Sequence, residues 1–294
     1  SYAEIPCGFH RIVGVSGTLE TLSTPERDIV QNIYHIQKNT YMPSVFGVNN
    51  RKFGKDTDIF IEDMNFYFQR IMAQTTAMVN AERSVLVFFG SKDKLNEFYD
   101  SNCLSPKKDK VDIITQEKLV TEKERLIKRS TTSGQITLLT REFGRGTDFV
   151  CRDQTVLSRG GVHVIQTFLS KELSEETQIM GRTARQGKEG SYCMIILDKD
   201  LEEFLITEAD IMRMNQSGIK YETLSEKRNR FFKEQYANSS KFVEEAKKEH
   251  DKAQQFVKSL DKGTIQFVKT FLGEQNQGAS GNIHSRTVCL MDAT

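Results

Sequence analysis

The chain has 294 residues, with 41 Lys and Arg against 40 Asp and Glu for a formal net charge of +1, and is 37% hydrophobic and 28% charged. That length holds one full core with roughly 80 to 100 residues left for an appendage, and that balance of apolar and charged residues excludes a disordered chain. Near-neutrality also excludes an overall positive field of the kind that recruits polyanions, so nucleic acid is not a favoured partner.

The chain opens on Ser1-Tyr2-Ala3-Glu4, with neither an initiating methionine nor a signal peptide, and so reads as a piece of a longer one. The first predicted strand is the β-branched run at 11–15. Ser23-Thr24-Pro25-Glu26 then places a cap, a proline and a carboxylate at the start of a helix predicted over 24–36. A helix over 65–80 leads to a strand at 84–89, and Ser91-Lys92-Asp93 turns that strand directly into a helix over 92–99. Strand 111–114, helix 121–130 and strands 135–140, 161–167 and 191–197 follow. Alternation of buried strands with amphipathic helices predicts an α/β fold, a parallel sheet with helices on both faces, whose chemistry is expected at the carboxyl edge of the strands.

After Leu197 the strand pattern stops. From about Ser225 the chain is rich in Lys and Glu, with Phe242, Val243, Ala246, Ala253, Phe256, Val257 and Leu260 at near-helical spacing. A long amphipathic helix is predicted, its apolar stripe serving for packing, with a loose end over 273–285. The domain division predicted is 1–205 for the sheet domain and 206–294 for a helical extension. The five cysteines, Cys7, Cys103, Cys151, Cys193 and Cys289, are far apart, with no C-x-x-C pair, so no metal site and no disulfide framework is expected. His163 lies mid-strand and reads as a core histidine; Lys107-Lys108-Asp109-Lys110 reads as a solvated turn.

Two segments carry chemistry. Strand 135–140 runs into Gly144-Arg145-Gly146-Thr147-Asp148, in which two glycines let the backbone bend close to a ligand while a hydroxyl and a carboxylate sit at the same turn. Alone, this could be a tight turn held by its aspartate. Farther on, Gln178-Ile179-Met180-Gly181-Arg182-Thr183-Ala184-Arg185 places two arginines three apart, on one face if the segment is helical, with Gly181 leaving room for close approach. Alone, these could be surface ion-pairing arginines. Together they read as guanidinium groups converging on a phosphate. No G-x-x-x-x-G-K-[ST] loop is present; Gly54-Lys55-Asp56 puts an aspartate where a magnesium-binding hydroxyl is needed. An acidic strand end for magnesium is missing too. The chain is therefore expected to complete a nucleotide site rather than to build one.

At this level of detail a family resemblance becomes specific. Val13-Gly14-Val15-Ser16-Gly17-Thr18-Leu19-Glu20 resembles the M-T-G-T-A segment at the opening of the second motor domain of SecA, the preprotein translocase ATPase. The stretch from Pro43-Ser44 through Arg51-Lys52 to Asp58-Ile59-Phe60 resembles the P-T-N-R…R-K-D…D segment of SecA. Gly144 to Asp148, Gly160-Gly161-Val162-His163-Val164-Ile165 and the run from Gln178 to Gly190 resemble helicase motif V, the G-G-L-H-V-I strand and motif VI, in SecA order. The middle strand separates SecA from ordinary nucleic-acid helicases.

The resemblance covers roughly 11–205, and more faintly 228–235. It implies a RecA-like three-layer domain with a C-terminal helical extension, forming half of a motor ATPase that threads polypeptide. It implies that Gly144, Arg145, Gly146, Thr147 and Asp148 form the nucleotide-side turn, with Gly181 beside them. Arg182 and Arg185 would then be arginine fingers, and Gln178 would couple ATP binding to closure. ATP and Mg would be held mainly by an N-terminal motor domain of the same protein; unfolded polypeptide and a peripheral membrane channel are the other implied partners, in the cytoplasm, stroma or matrix. Half of a superfamily 2 helicase and a non-catalytic RecA-like adaptor are the alternatives. Two departures stand out: Phe168 to Glu176 replaces the basic E-R-H-E-S-R-R stretch of SecA, so an arginine-based contact is expected to be lost, and Lys188-Glu189 replaces D-P of Q-G-D-P-G.

Overall fold

A computed structural model describes residues 5–275. Seven strands, β1 (Arg51–Lys52), β2 (Ile59–Glu62), β3 (Val85–Phe89), β4 (Val111–Ile114), β5 (Ile136–Thr140), β6 (His163–Gln166) and β7 (Gly190–Leu197), form one sheet. Every pairing is parallel. The order is β2-β7-β6-β3-β5-β4, with β1 lying ahead of β2 along the same edge of β7. The described helices are α1 (Thr24–Asp28), α2 (Met64–Asn80), α3 (Lys92–Asp100), α4 (Val120–Arg129), α5 (Gln154–Ser158), α6 (Leu173–Met180), α7 (Glu208–Ser217), α8 (Tyr221–Asp261) and α9 (Ile265–Gln275).

The period of two along a strand divides the core. Val85, Val87 and Phe89 of β3 share a cluster with Tyr67 and Ile71 of α2 and Leu95 and Phe98 of α3. Leu86 and Phe88 face the other way, toward Leu126 of α4, Val156 of α5, Ile179 of α6 and Met214 of α7. With helices on both faces, all five β3 residues are buried, which is why the strand reads as an unbroken apolar run. This is a three-layer arrangement, a parallel sheet between two layers of helices. Ser23 caps α1 in a full capping box with Glu26, and Ser91 caps α3, as the sequence predicts.

Two local expectations fail. Residues 11–15 form no strand: Val13 is 96% exposed and Val15 104%. β1 and β2 occupy the edge of β7, the 11–15 run pairs with no strand of the sheet, and a β-branched run without a partner strand has no ladder to hold it extended. The helix expected over 24–36 is α1 followed by a wider π-type turn at Ile29–Ile33, ending where His35 takes a φ of 55°.

The chain divides into two compact units after Glu234, not after 205. α7 and the first turns of α8 belong with the sheet, because Met214 and Leu224 are buried in its core and Phe204 meets Phe231 at 5.4 Å. In the second unit, Phe256 packs against Phe271 at 4.9 Å, whereas Phe242, Val243, Val257 and Leu260 remain exposed, so most of the apolar stripe is not used for packing among the described residues. The loose end expected over 273–285 lies largely outside the described residues.

His163 is a core histidine. Its Nδ1 is 2.7 Å from Ser191 Oγ and its Nε2 is 3.5 Å from Cys193 Sγ. Burial, helped by the nearby Arg83 cation, pushes its pKa down to about 3. A folded pKa below the unfolded value means that this stabilisation is complete above about pH 6.5 and is lost as acid charges the unfolded state. Between pH 6 and 4 the His163→Gln variant is expected to lose stability less steeply than the parent, by about 1.4 kcal/mol per pH unit. Parallel pH slopes in urea melts of the two proteins would refute this.

Candidate functional site

β5 ends at Thr140 and a short 3-10 turn, Arg141–Gly144, carries the chain to the 144–148 segment. Gly144 is buried against α6: a Cβ there would lie 2.6 Å from Ile179 Cγ1, so only glycine lets the turn approach the helix this closely. Gly146 has a φ of 66°, the left-handed region that glycine tolerates.

α6 stops at Met180 because Gly181 follows as its C-cap and closes the last turn by donating its N–H to the Thr177 carbonyl. Ala184, Gln186 and Gly187 then take φ values of 53°, 55° and 75°. Left-handed backbone at three of four positions cannot continue a helix, so Arg182 and Arg185 lie in a loop, not on one helical face. The two left-handed residues other than glycine cost on the order of 1 kcal/mol each, a strain that the surrounding contacts must hold. Thr183 Oγ1 donates to the Val162 carbonyl at 2.5 Å, and Lys188 Nζ donates to the Cys151 carbonyl at 2.8 Å.

The arginines nevertheless converge. Arg182 Nε donates to the carbonyls of Gly144 at 3.0 Å and Gln178 at 3.1 Å, and its Nη1 donates to the Thr147 carbonyl. Arg185 pairs with the Asp148 carboxylate. Burial lowers the pKa of Arg182, the neighbouring Arg185 cation lowers it further, and Asp148 opposes both. Two cations that repel across one turn favour an anion between them. The adjoining cavity, lined in part by Asp148, Arg182 and Arg185, is about 30 Å³, room for a water molecule but not a nucleotide. The arginines are thus presented on an open surface.

Not every expected residue joins them. Arg145 turns away to Glu172 at 3.2 Å and Ser174 Oγ at 3.1 Å. Gln178 enters through its backbone carbonyl. The position also differs from the carboxyl edge expected. α6 returns antiparallel to the strands, so its C-terminal loop meets the amino ends of β6 and β7, through Val162 and Gly190. A larger crevice of about 380 Å³ opens at the carboxyl edge, lined by Gly90, Ser91, Arg141, Thr167 and Phe168 among others.

The strand motif beginning Gly160-Gly161 supports this loop. Gly161 has a φ of 75°, and a Cβ on it would lie 1.9 Å from the Glu189 carbonyl oxygen, so the glycine lets the start of β6 pass directly beneath the end of the arginine loop. The acidic stretch at 172–176, which carries no arginine of its own, receives three from other elements. Glu172 takes Arg145, Glu175 takes Arg141 at 2.6 Å, and Glu176 takes Arg228 of α8 at 2.5 Å. Glu176 also accepts from Tyr221 Oη at 2.6 Å, and the Glu176 and Arg228 side chains are 0% and 1% exposed. Nothing in the periodicity marks this pair, because Glu176 sits in a polar run, Ser174 to Gln178, between Leu173 and Ile179. Among the described residues no three His, Cys, Asp or Glu side chains cluster as a metal site, and no helix is long and apolar enough to cross a membrane.

No protein-family model matches the chain. It is 35% identical over 94 residues to the protein translocase subunit SecA 2 of Rhodopirellula baltica, covering 32% of this chain and 13% of that one. It is 26% identical over 199 residues to SecA 2 of Magnetococcus marinus, covering 66% of this chain and 28% of that one. The chain therefore spans between about an eighth and just over a quarter of the length of these relatives. Among solved structures, S. cerevisiae Dbp5 bound to RNA and ADP BeF3 aligns with a TM-score of 0.44 and 17% identity over 68% of this chain and 48% of that one. The C-terminal domain of the DEAD-box protein Dbp5 aligns with a TM-score of 0.37 and 18% identity over 54% and 83%. In these relatives the chain is similar to part of proteins named as SecA-type protein translocase subunits.

Proposed function

We propose that this chain is the second ATP-binding half of a SecA-like motor ATPase and supplies Arg182 and Arg185 to a nucleotide held by a phosphate-loop domain. The observation that supports this is the convergence of both arginines on the 144–148 turn from a strained loop, without a phosphate loop in the same chain. In this reading Arg185, the more exposed, stabilises charge on the transferring phosphoryl group, and Arg182 fixes the turn while lending a second positive charge. ATP and Mg are bound mainly by the partner domain, and opening and closing of the cleft moves an unfolded polypeptide toward a peripheral membrane channel.

The chain alone is expected to turn over ATP negligibly, and joining it to a phosphate-loop domain of the SecA type is expected to produce Mg-dependent hydrolysis stimulated by unfolded polypeptide. Robust turnover by the isolated chain would remove the half-site reading. Stimulation by single-stranded RNA with steep salt dependence, and none by polypeptide, would turn the assignment to a nucleic-acid helicase.

A further inference from the structure

The segment 43–60 resembles a family motif, yet the nucleotide chemistry above gives it no role. In the structure it touches the arginine loop at both ends. β1 pairs with the first residues of β7, Arg51 opposite Gly190 and Lys52 opposite Ser191, where the loop ends. Asn50 Nδ2 donates to the Gly187 carbonyl at 2.7 Å, and Gly187 fits there because a Cβ would lie 3.1 Å from the Phe46 carbonyl oxygen. Arg51 Nη1 donates to the Met180 carbonyl at 3.2 Å, at the end of α6 where the loop begins. A cation is well placed there, because the last carbonyls of a helix carry its partial negative charge. One short stretch, more than a hundred residues earlier in the chain, thus holds the entrance and the exit of a loop whose Ala184 and Gln186 sit in left-handed backbone.

We propose that Asn50 and Arg51 are positioning residues for the arginine loop, a clamp across its two ends that keeps Arg182 and Arg185 aimed together. A loop strained at two positions relaxes toward other conformers unless its ends are fixed, and two arginines act as a pair only while the loop keeps one shape. The clamp touches the loop backbone and not the arginine side chains. This inference rests on the arginine-finger reading above.

The test uses the protein in which the chain is joined to its phosphate-loop domain, with Asn50→Ala, the double variant Asn50→Ala/Arg51→Met, and Arg51→Lys as the conservative change. Amide hydrogen exchange over 181–189 is expected to accelerate about tenfold in the double variant while β3 and β5 keep their protection. The kcat is expected to fall about tenfold with KM for ATP within about twofold, and Arg51→Lys to keep most of the rate. Unchanged exchange over 181–189 in both Asn50→Ala and the double variant overturns the clamp, and so does faster exchange with an unchanged kcat. Arg182→Ala and Arg185→Ala run in parallel separate the two ideas: if both leave turnover intact, the arginine reading has failed, whereas loss of turnover in either beside an unaffected double variant means that only the clamp has failed.

Discussion

Arg185→Ala is expected to lower ATP turnover by roughly 10³ in the protein that joins this chain to a phosphate-loop domain, with little change in stability. The two halves of that expectation have separate physical origins. A guanidinium facing a transferring phosphoryl group acts where charge develops, so its loss appears in kcat. Its partner in the structure is Asp148, and the two side chains are 42% and 62% exposed, a pair worth at most about 1 kcal/mol to folding. Arg182→Ala is expected to behave differently. Its guanidinium serves the carbonyls of Gly144, Gln178 and Thr147, so removing it leaves the half-buried turn short of donors and costs about 1 to 3 kcal/mol, in addition to the lost turnover. Thermal melts and single-turnover hydrolysis on the same preparations check both. An unchanged rate in Arg185→Ala and Arg182→Ala would end the finger assignment; a normal rate in Arg185→Ala alone would leave Arg182 as the sole finger.

The sheet was legible wherever a strand is buried on both faces, because Val85–Phe89 and Gly190–Leu197 carry their signal within one apolar run. Arg51–Lys52 is two residues long and has no period to read, and Ile59–Glu62 is only half-buried. The run at 11–15 shows the converse: local composition can suit a strand, but pairing depends on which edges of the sheet are free. α6 was hidden because Glu175 and Glu176 interrupt its apolar pattern; the structure answers each with an arginine from a distant element. At the site, the glycines and arginines were legible as a phosphate-seeking constellation. The loop that carries them was not, since helical spacing cannot reveal three left-handed residues after Gly181. Nor could the clamp be read, because Asn50 and Gly187 are 137 residues apart in sequence.

Arg228→Ala is expected to destabilise the sheet unit by about 3 to 5 kcal/mol, the cost of leaving the Glu176 carboxylate buried without its cation. The contact joins α8 to α6, which ends in the arginine loop, and it has no route to solvent: both side chains are essentially inaccessible. Tyr221→Phe removes one hydrogen bond to the same carboxylate and is expected to cost about 1 to 2 kcal/mol. The double variant Glu176→Leu/Arg228→Met is expected to recover most of the loss, because burying two charges is itself expensive and apolar side chains of similar volume avoid it. The pair is also incompletely satisfied, since Arg228 Nε is buried with no hydrogen-bond partner among the described residues, which further favours the apolar replacement. Chemical denaturation of the three variants decides the matter. A double variant as unstable as Arg228→Ala would mean that the pair contributes through geometry that apolar packing cannot replace. A stable double variant with slowed turnover would assign the ion pair to the register between α8 and the arginine loop, and not to holding the fold together.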